Sequence, residues 1–258
     1  MRAKAAQLTT AQKLIYRTLS VVFWTALWAF AAAIVDRELL LPSPFVTLRR
    51  LCELAVTAVF WKATLTSLLR IAVGFAVGAL IGTLLAVPTA LFRPADLLMS
   101  PMNTVIRATP VASFIILALV WIESGRVPSF IAVLMVTPIV WNALKTAIRE
   151  VDKDLLEMAD AYRLSGWKRI RFLYVPTVLP QYTASLMTAL GLAWKAGIAA
   201  EVLCHPKRSI GGELYNAKIY LETPDLFAWT LTVILLSVAM EAIFGTIMTR
   251  YLGRRKSA

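Results

Sequence analysis

Six apolar runs, at 15–35, 68–92, 103–121, 127–148, 178–201 and 226–248, constrain this chain more than any other feature. Crossing about 30 Å of hydrocarbon takes roughly 20 apolar residues rising about 1.5 Å each, and every run is near that length. Of 258 residues, 59% are hydrophobic and 16% charged, with a mean hydropathy of +0.71. A soluble domain of this size would need far more polar surface to cover its core. The expected fold class is therefore all-α, a polytopic membrane protein with six transmembrane helices. Periodicity adds little, because helices buried on all sides lose their polar face.

The chain divides into a polar lead at 1–14, a membrane domain at 15–248 with a long polar loop at 149–177 inside it, and a basic tail at 249–258. Arg2, Lys4, Lys13 and Arg17 come before or within the start of the first run, and no small-residue cleavage site precedes Asp36, so a retained helix is expected rather than a cleaved signal. The net charge is +12. If both termini are inside, most of the basic residues fall on inner segments, as the positive-inside rule requires. The excess is thus topology, and a nucleic-acid partner is excluded.

Local signals refine the picture. Leu41 Pro42 Ser43 Pro44 should break one helix and cap another, an amphipathic helix over about 45–59 at the outer interface. Gly74, Gly78 and Gly82 share one face, which lets another backbone approach closely. Pro110 should kink the third run, and Pro138 should bend the fourth. Ser209 Ile210 Gly211 Gly212 reads as a turn followed by a short outer helix. Cys52 and Cys204 both fall on outer segments, where a disulfide could form.

No catalytic group is expected. The chain has no Gly-Lys dipeptide and hence no phosphate-cradling loop, and its single histidine, His205, stands alone in an outer segment. No metal site is expected, since Cys204 and His205 supply too few ligands. Lys195 and Glu241 lie within apolar runs, where an ionisable residue normally faces a partner or an aqueous cavity. Their depths should differ by roughly 10 Å, which argues against a direct salt bridge. Lys195 is a candidate for attracting an anionic solute.

The loop at 149–177 carries the most specific pattern. Val151, Leu155, Met158, Ala159 and Tyr162 fall at helical spacing, Gly166 can end that helix, and Trp167 to Tyr174 can begin another. Glu157 Met158 Ala159, then position 163, then Leu173 Tyr174 Val175 Pro176 resemble the Glu-Ala-Ala loop of ABC importer permeases, with the family's spacing throughout. Arg163 departs from the family's glycine, and the turn is expected to move to Gly166. The proline motif at 41–44, the glycine ladder, Arg107 Ala108 Thr109 Pro110 and Ser209 to Gly212 resemble the nitrate/sulfonate/taurine branch.

That resemblance implies a permease subunit of an ATP-driven, binding-protein-dependent importer in the cell membrane. It would act as a dimer, dock a separate cytoplasmic ATPase that holds ATP and magnesium, and receive a small anion or vitamin-precursor-like solute from an external binding protein. It also implies that Glu157, Met158, Ala159, Asp160, Ala161, Arg163 and Gly166 form the coupling surface, small residues allowing insertion and charges setting register. Arg107, Pro110, Lys195 and Glu241 are candidates to line the pathway. Two other readings stay open here: an ion-coupled secondary transporter using Lys195 and Glu241, and a membrane scaffold without a pathway.

Overall fold

Residues 10–256 are described by the structure, a computed structural model. The first nine positions of the expected lead and the last two of the tail lie outside the described residues. The fold is all-α, with no strand among the described residues. Among the described residues, five helices are long and apolar enough to cross a membrane, and a bent pair supplies a sixth crossing if counted as one span.

Helix α1 (Thr10–Val35) leads into α2 (Pro44–Ala55) through the proline motif. Ser43 caps α2 by accepting from the Val46 amide at 3.3 Å, and Pro44 occupies the first turn, where a missing N–H costs nothing. Trp28 Nε1 donates to the Pro42 carbonyl at 3.1 Å, which ties α1 to this corner. Helix α3 (Ala58–Leu91) starts at Ala58 rather than at 68, because Thr57 caps it immediately after α2. The residues just before the second apolar run are thus already helical.

The third run departs most from expectation. In place of one kinked span, α4 (Arg93–Ala108) and α5 (Val111–Ala118) meet at an angle of 99°. Pro110 forces Thr109 into extended backbone, with ψ at 131°, and the helix stops rather than bends. The charged start of α4 is helical because its charges are paired: Lys145 Nζ donates to Asp96 at 2.8 Å, and Arg149 Nη2 to the same carboxylate at 2.9 Å.

Helix α6 (Val127–Arg149) runs through Pro138 without interruption and is the centre of the molecule. It packs along α3, where the glycine ladder sits. A Cβ on Gly74 would come within 2.4 Å of the Ser129 carbonyl oxygen, and one on Gly82 within 2.8 Å of that of Thr137. Gly78 meets Val136 in the same way. The ladder is a close-packing face, and side-chain bonds seal it: Ser129 Oγ to Arg70 O at 2.8 Å and Trp141 Nε1 to Thr89 Oγ1 at 2.7 Å. Without a hydrophobic drive between helices in lipid, such contact and such bonds hold the pair together.

After α6 come α7 (Lys153–Ala161), α8 (Gly166–Arg169), a π-helical stretch (Ile170–Tyr174) and α9 (Val175–Cys204). From Gly166 to Cys204 the chain is one continuous helical rod of 39 residues. Helix α10 (Ile210–Ile219) begins where a turn was expected, since Ser209 accepts from the Gly212 amide at 2.9 Å and caps it. Helix α11 (Thr223–Lys256) closes the chain and continues past 248 into the expected tail.

Three apolar clusters form the core. One joins α3, α6, α9 and α11 around Trp194 and Trp229; one lies at the α7 end around Trp141; one joins α5, α6 and α9 around Ile131. Cys52 is exposed on α2 and Cys204 is buried in the third cluster, so no disulfide joins them. His205 ends α9 in the left-handed conformation and packs on Tyr215.

Candidate functional site

The α7–α8 hairpin is built from a cap, a turn and one buried alanine. Asp152 caps α7 by accepting from the Asp154 amide at 2.9 Å. At the other end the Leu164 amide reaches back to Ala159 O at 3.0 Å and the Arg163 amide to Asp160 O at 2.9 Å. This is a Schellman closure, which needs a left-handed residue at the position Arg163 occupies. Arg163 takes it, with φ at 48°. The turn therefore stays at the position of the family's glycine, and Gly166 instead opens α8 after Ser165. A side chain there costs about 1 kcal/mol relative to glycine.

Ala159 is fully buried, packed with Val151, Leu173 and Trp141 in the cluster at this end. Its smallness serves the chain's own packing, which corrects the expectation that it is free for insertion elsewhere. Burying Ala159 fixes which residues face out. Glu157, Met158, Ala161, Tyr162 and Arg163 are exposed, and Tyr162 is 76% so. Asp160 is exposed too and pairs with Arg169, joining α7 to α8. Trp167 and Phe172 extend this surface with exposed aromatic rings.

Lys195 and Glu241 line one open groove, together with Met187, Thr188, Gly191 and Leu192. No ion pair joins them among the described residues. Arg107 and Pro110 do not line that groove; both are exposed at the break between α4 and α5.

A third constellation escaped the sequence reading. Glu201, at the far end of α9, is fully buried. Ser67 Oγ on α3 donates to its Oε2 at 2.7 Å, the Gly211 amide donates to the same oxygen at 3.1 Å, and Arg70 Nη1 stands 3.8 Å from Oε1. Ser67 Oγ also accepts from the Ile210 amide at 3.0 Å. One carboxylate thus gathers α3, α9 and the first turn of α10, where two of the amides left without intrahelical partners find acceptors. Gly211 is required there, because a Cβ would lie 2.3 Å from that of Glu201. The signal was present as a lone acid ending an apolar run, but its serine partner is 134 positions away.

At the same end, Arg50 on α2 pairs with Asp225 on α11 and with Glu53. Bonds from Arg50 and then Arg49 hold the Glu53 carboxyl below its ordinary range. On α10, burial pushes the Glu213 carboxyl up, against an opposing hydrogen bond from Asn216.

Comparison with known proteins places this architecture. The family model described as "Binding-protein-dependent transport system inner membrane component" matches residues 78–258. The bicarbonate transport system permease protein CmpB of Synechococcus elongatus is 30% identical over 160 residues, covering 61% of this chain and 57% of that one. The putative aliphatic sulfonates transport permease protein SsuC of Escherichia coli is 27% identical, covering 85% of this chain and 81% of the other. In fold, the chain is similar to a solved bacterial alginate ABC transporter, with a TM-score of 0.63 at 12% identity over 93% of this chain and 95% of that one. With the family model matching most of its length, and a helical fold shared with an ABC transporter, the chain belongs to the binding-protein-dependent transport system inner membrane components and is a multi-pass membrane protein.

Proposed function

We propose that this chain is the permease subunit of an ATP-driven importer in the cell membrane, working as a homodimer whose two copies enclose the pathway. The α7–α8 hairpin docks on a separate cytoplasmic ATPase, which holds the ATP and magnesium, and an external binding protein delivers the solute. Both termini then lie in the cytoplasm, in keeping with the basic bias of the segments on the α7 side. The solute is a small anion or a vitamin-precursor-like molecule, a class in keeping with relatives named for bicarbonate and sulfonates. Family membership sets aside the scaffold and ion-coupled alternatives.

One observation carries the docking role. Ala159 is locked into the core while Glu157, Met158 and Tyr162 stand out on a hairpin that no other described element covers. A helix held this firmly, yet covering nothing of its own chain on its outer face, is built to meet another protein.

The test is co-purification of the full chain with its ATPase, followed by transport in proteoliposomes. Glu157→Lys and Tyr162→Ala should leave the amount in the membrane unchanged and lower solute-stimulated ATP hydrolysis by about tenfold, the loss of roughly 1.4 kcal/mol of coupling. Full coupled transport by both variants would overturn the role.

A further inference from the structure

The exposed face of α9 differs from that of its neighbours. Helices α1, α3 and α11 expose large apolar side chains such as Phe30, Leu69, Leu80 and Val238, as lipid contact requires. Along α9 the exposed residues at helical spacing include Thr177, Gln181, Ala184, Thr188, Lys195 and Ala199, with Gly191 half-exposed in the same line and Leu192 and Leu203 as its large apolar members. A stripe that is mostly polar and small through a span, with a charge in it, does not face hydrocarbon.

Within this stripe the groove brings two opposite charges together. The Glu241 carboxylate is seated over Gly191, where a Cβ would lie 3.0 Å from Oε1. Gly191 is one turn before Lys195, so the carboxylate sits about 6 Å along the axis from the lysine's Cα. The Lys195 stem leans toward that turn, as helical side chains do. Both charges nonetheless stay open to the groove, each without an ion-pair partner among the described residues.

We propose that Lys195 and Glu241 form a two-point site for a small zwitterion, an amino-sulfonate or amino-carboxylate whose anionic group meets Lys195 and whose ammonium meets Glu241. The proposal rests on the reading of the chain as a permease and takes its solute to be a zwitterion in place of a plain anion. A plain anion drawn to Lys195 meets a carboxylate one turn away. That like charge weakens its binding by about tenfold at such spacing. A solute carrying both charges meets an opposite charge at each end. Thr188 supplies a hydroxyl to the same groove, and Gly191 leaves the room beside the carboxylate.

The experiment is equilibrium binding to the full-length permease, purified with its ATPase in lipid nanodiscs. The probes are taurine and β-alanine, each set against its analogue lacking the ammonium, ethanesulfonate and propionate. The expected result is a preference of about tenfold or more for at least one zwitterion over its analogue. Lys195→Gln should weaken that zwitterion by about tenfold, and Glu241→Gln should erase the preference while leaving ethanesulfonate bound as well or better. The double variant should show neither affinity nor preference. Equal binding of zwitterion and analogue, or no binding of either, would overturn the site. So would a double variant that recovers what each single one loses, since the two charges would then serve only each other. Unchanged melting temperatures exclude misfolding. Retention of the ATPase keeps a failure of this site separate from a failure of the permease reading.

Discussion

A single arginine shows how a motif can change its letters and keep its geometry. Arg163 stands where the resemblance calls for glycine, yet its φ of 48° and the two amide bonds around it preserve the closure of α7. Arg163→Gly should therefore stabilise the hairpin by about 1 kcal/mol, whereas Arg163→Val should loosen it by a similar amount. Hydrogen exchange at the Leu164 amide reads both directions. Ala159 behaves differently, because the space around it is already filled. Ala159→Leu should cost about 1–3 kcal/mol through overpacking and lower the folded yield, which separates it from Glu157 variants that leave the fold intact. Glu213 gives a pH signature. Burial raises its carboxyl, so its contribution to stability is full below the ordinary carboxylate range and is lost as pH rises through the raised value. Glu213→Gln should make the protein more stable than wild type at neutral pH, with the gap closing in acid, as thermal unfolding across pH will report.

At the scale of elements, the hydropathy of the runs was a sound guide to where long apolar helices form and a poor one to where they start and stop. A window average registers apolar content but not pairing, so the start of α4 fell between two runs, although Asp96, Lys145 and Arg149 neutralise one another there. The same average cannot see direction, and the 99° turn at Thr109 and Pro110 was legible only as a kink. The glycine ladder was legible because spacing alone puts small residues on one face. Its tolerance is low: Gly78→Val should separate α3 from α6 and cost about 3 kcal/mol or more, seen as a loss of folded protein in detergent. The α7–α8 hairpin was legible in pattern, while the direction in which Ala159 points depended on Leu173 and Trp141, contacts no local reading provides.

For the whole molecule, the Glu201 cluster sets how the far end is joined. Glu201→Ala would leave Ser67 Oγ and the Gly211 amide without their acceptor and Arg70 without its ion-pair partner, and should cost about 3–5 kcal/mol, whereas Glu201→Gln keeps the geometry and should cost less. Comparing the two melting temperatures checks it. These bonds also give meaning to the rod from Gly166 to Cys204, at whose far end they lie. At about 1.5 Å per residue it is roughly 58 Å long, more than the 40–45 Å of a bilayer with its headgroups. On the proposed docking role it works as a lever: its handle is the hairpin, its fulcrum the seam with α6, and its far tip the carboxylate that grips α10. Its two weak points, the π-helical turn at Ile170–Tyr174 and Pro180 inside α9, both lie toward the handle rather than toward the tip. On the proposed docking, a push carried past Pro180 meets no further proline before Cys204, so the groove at Lys195 and the cap at α10 must move on the same stroke.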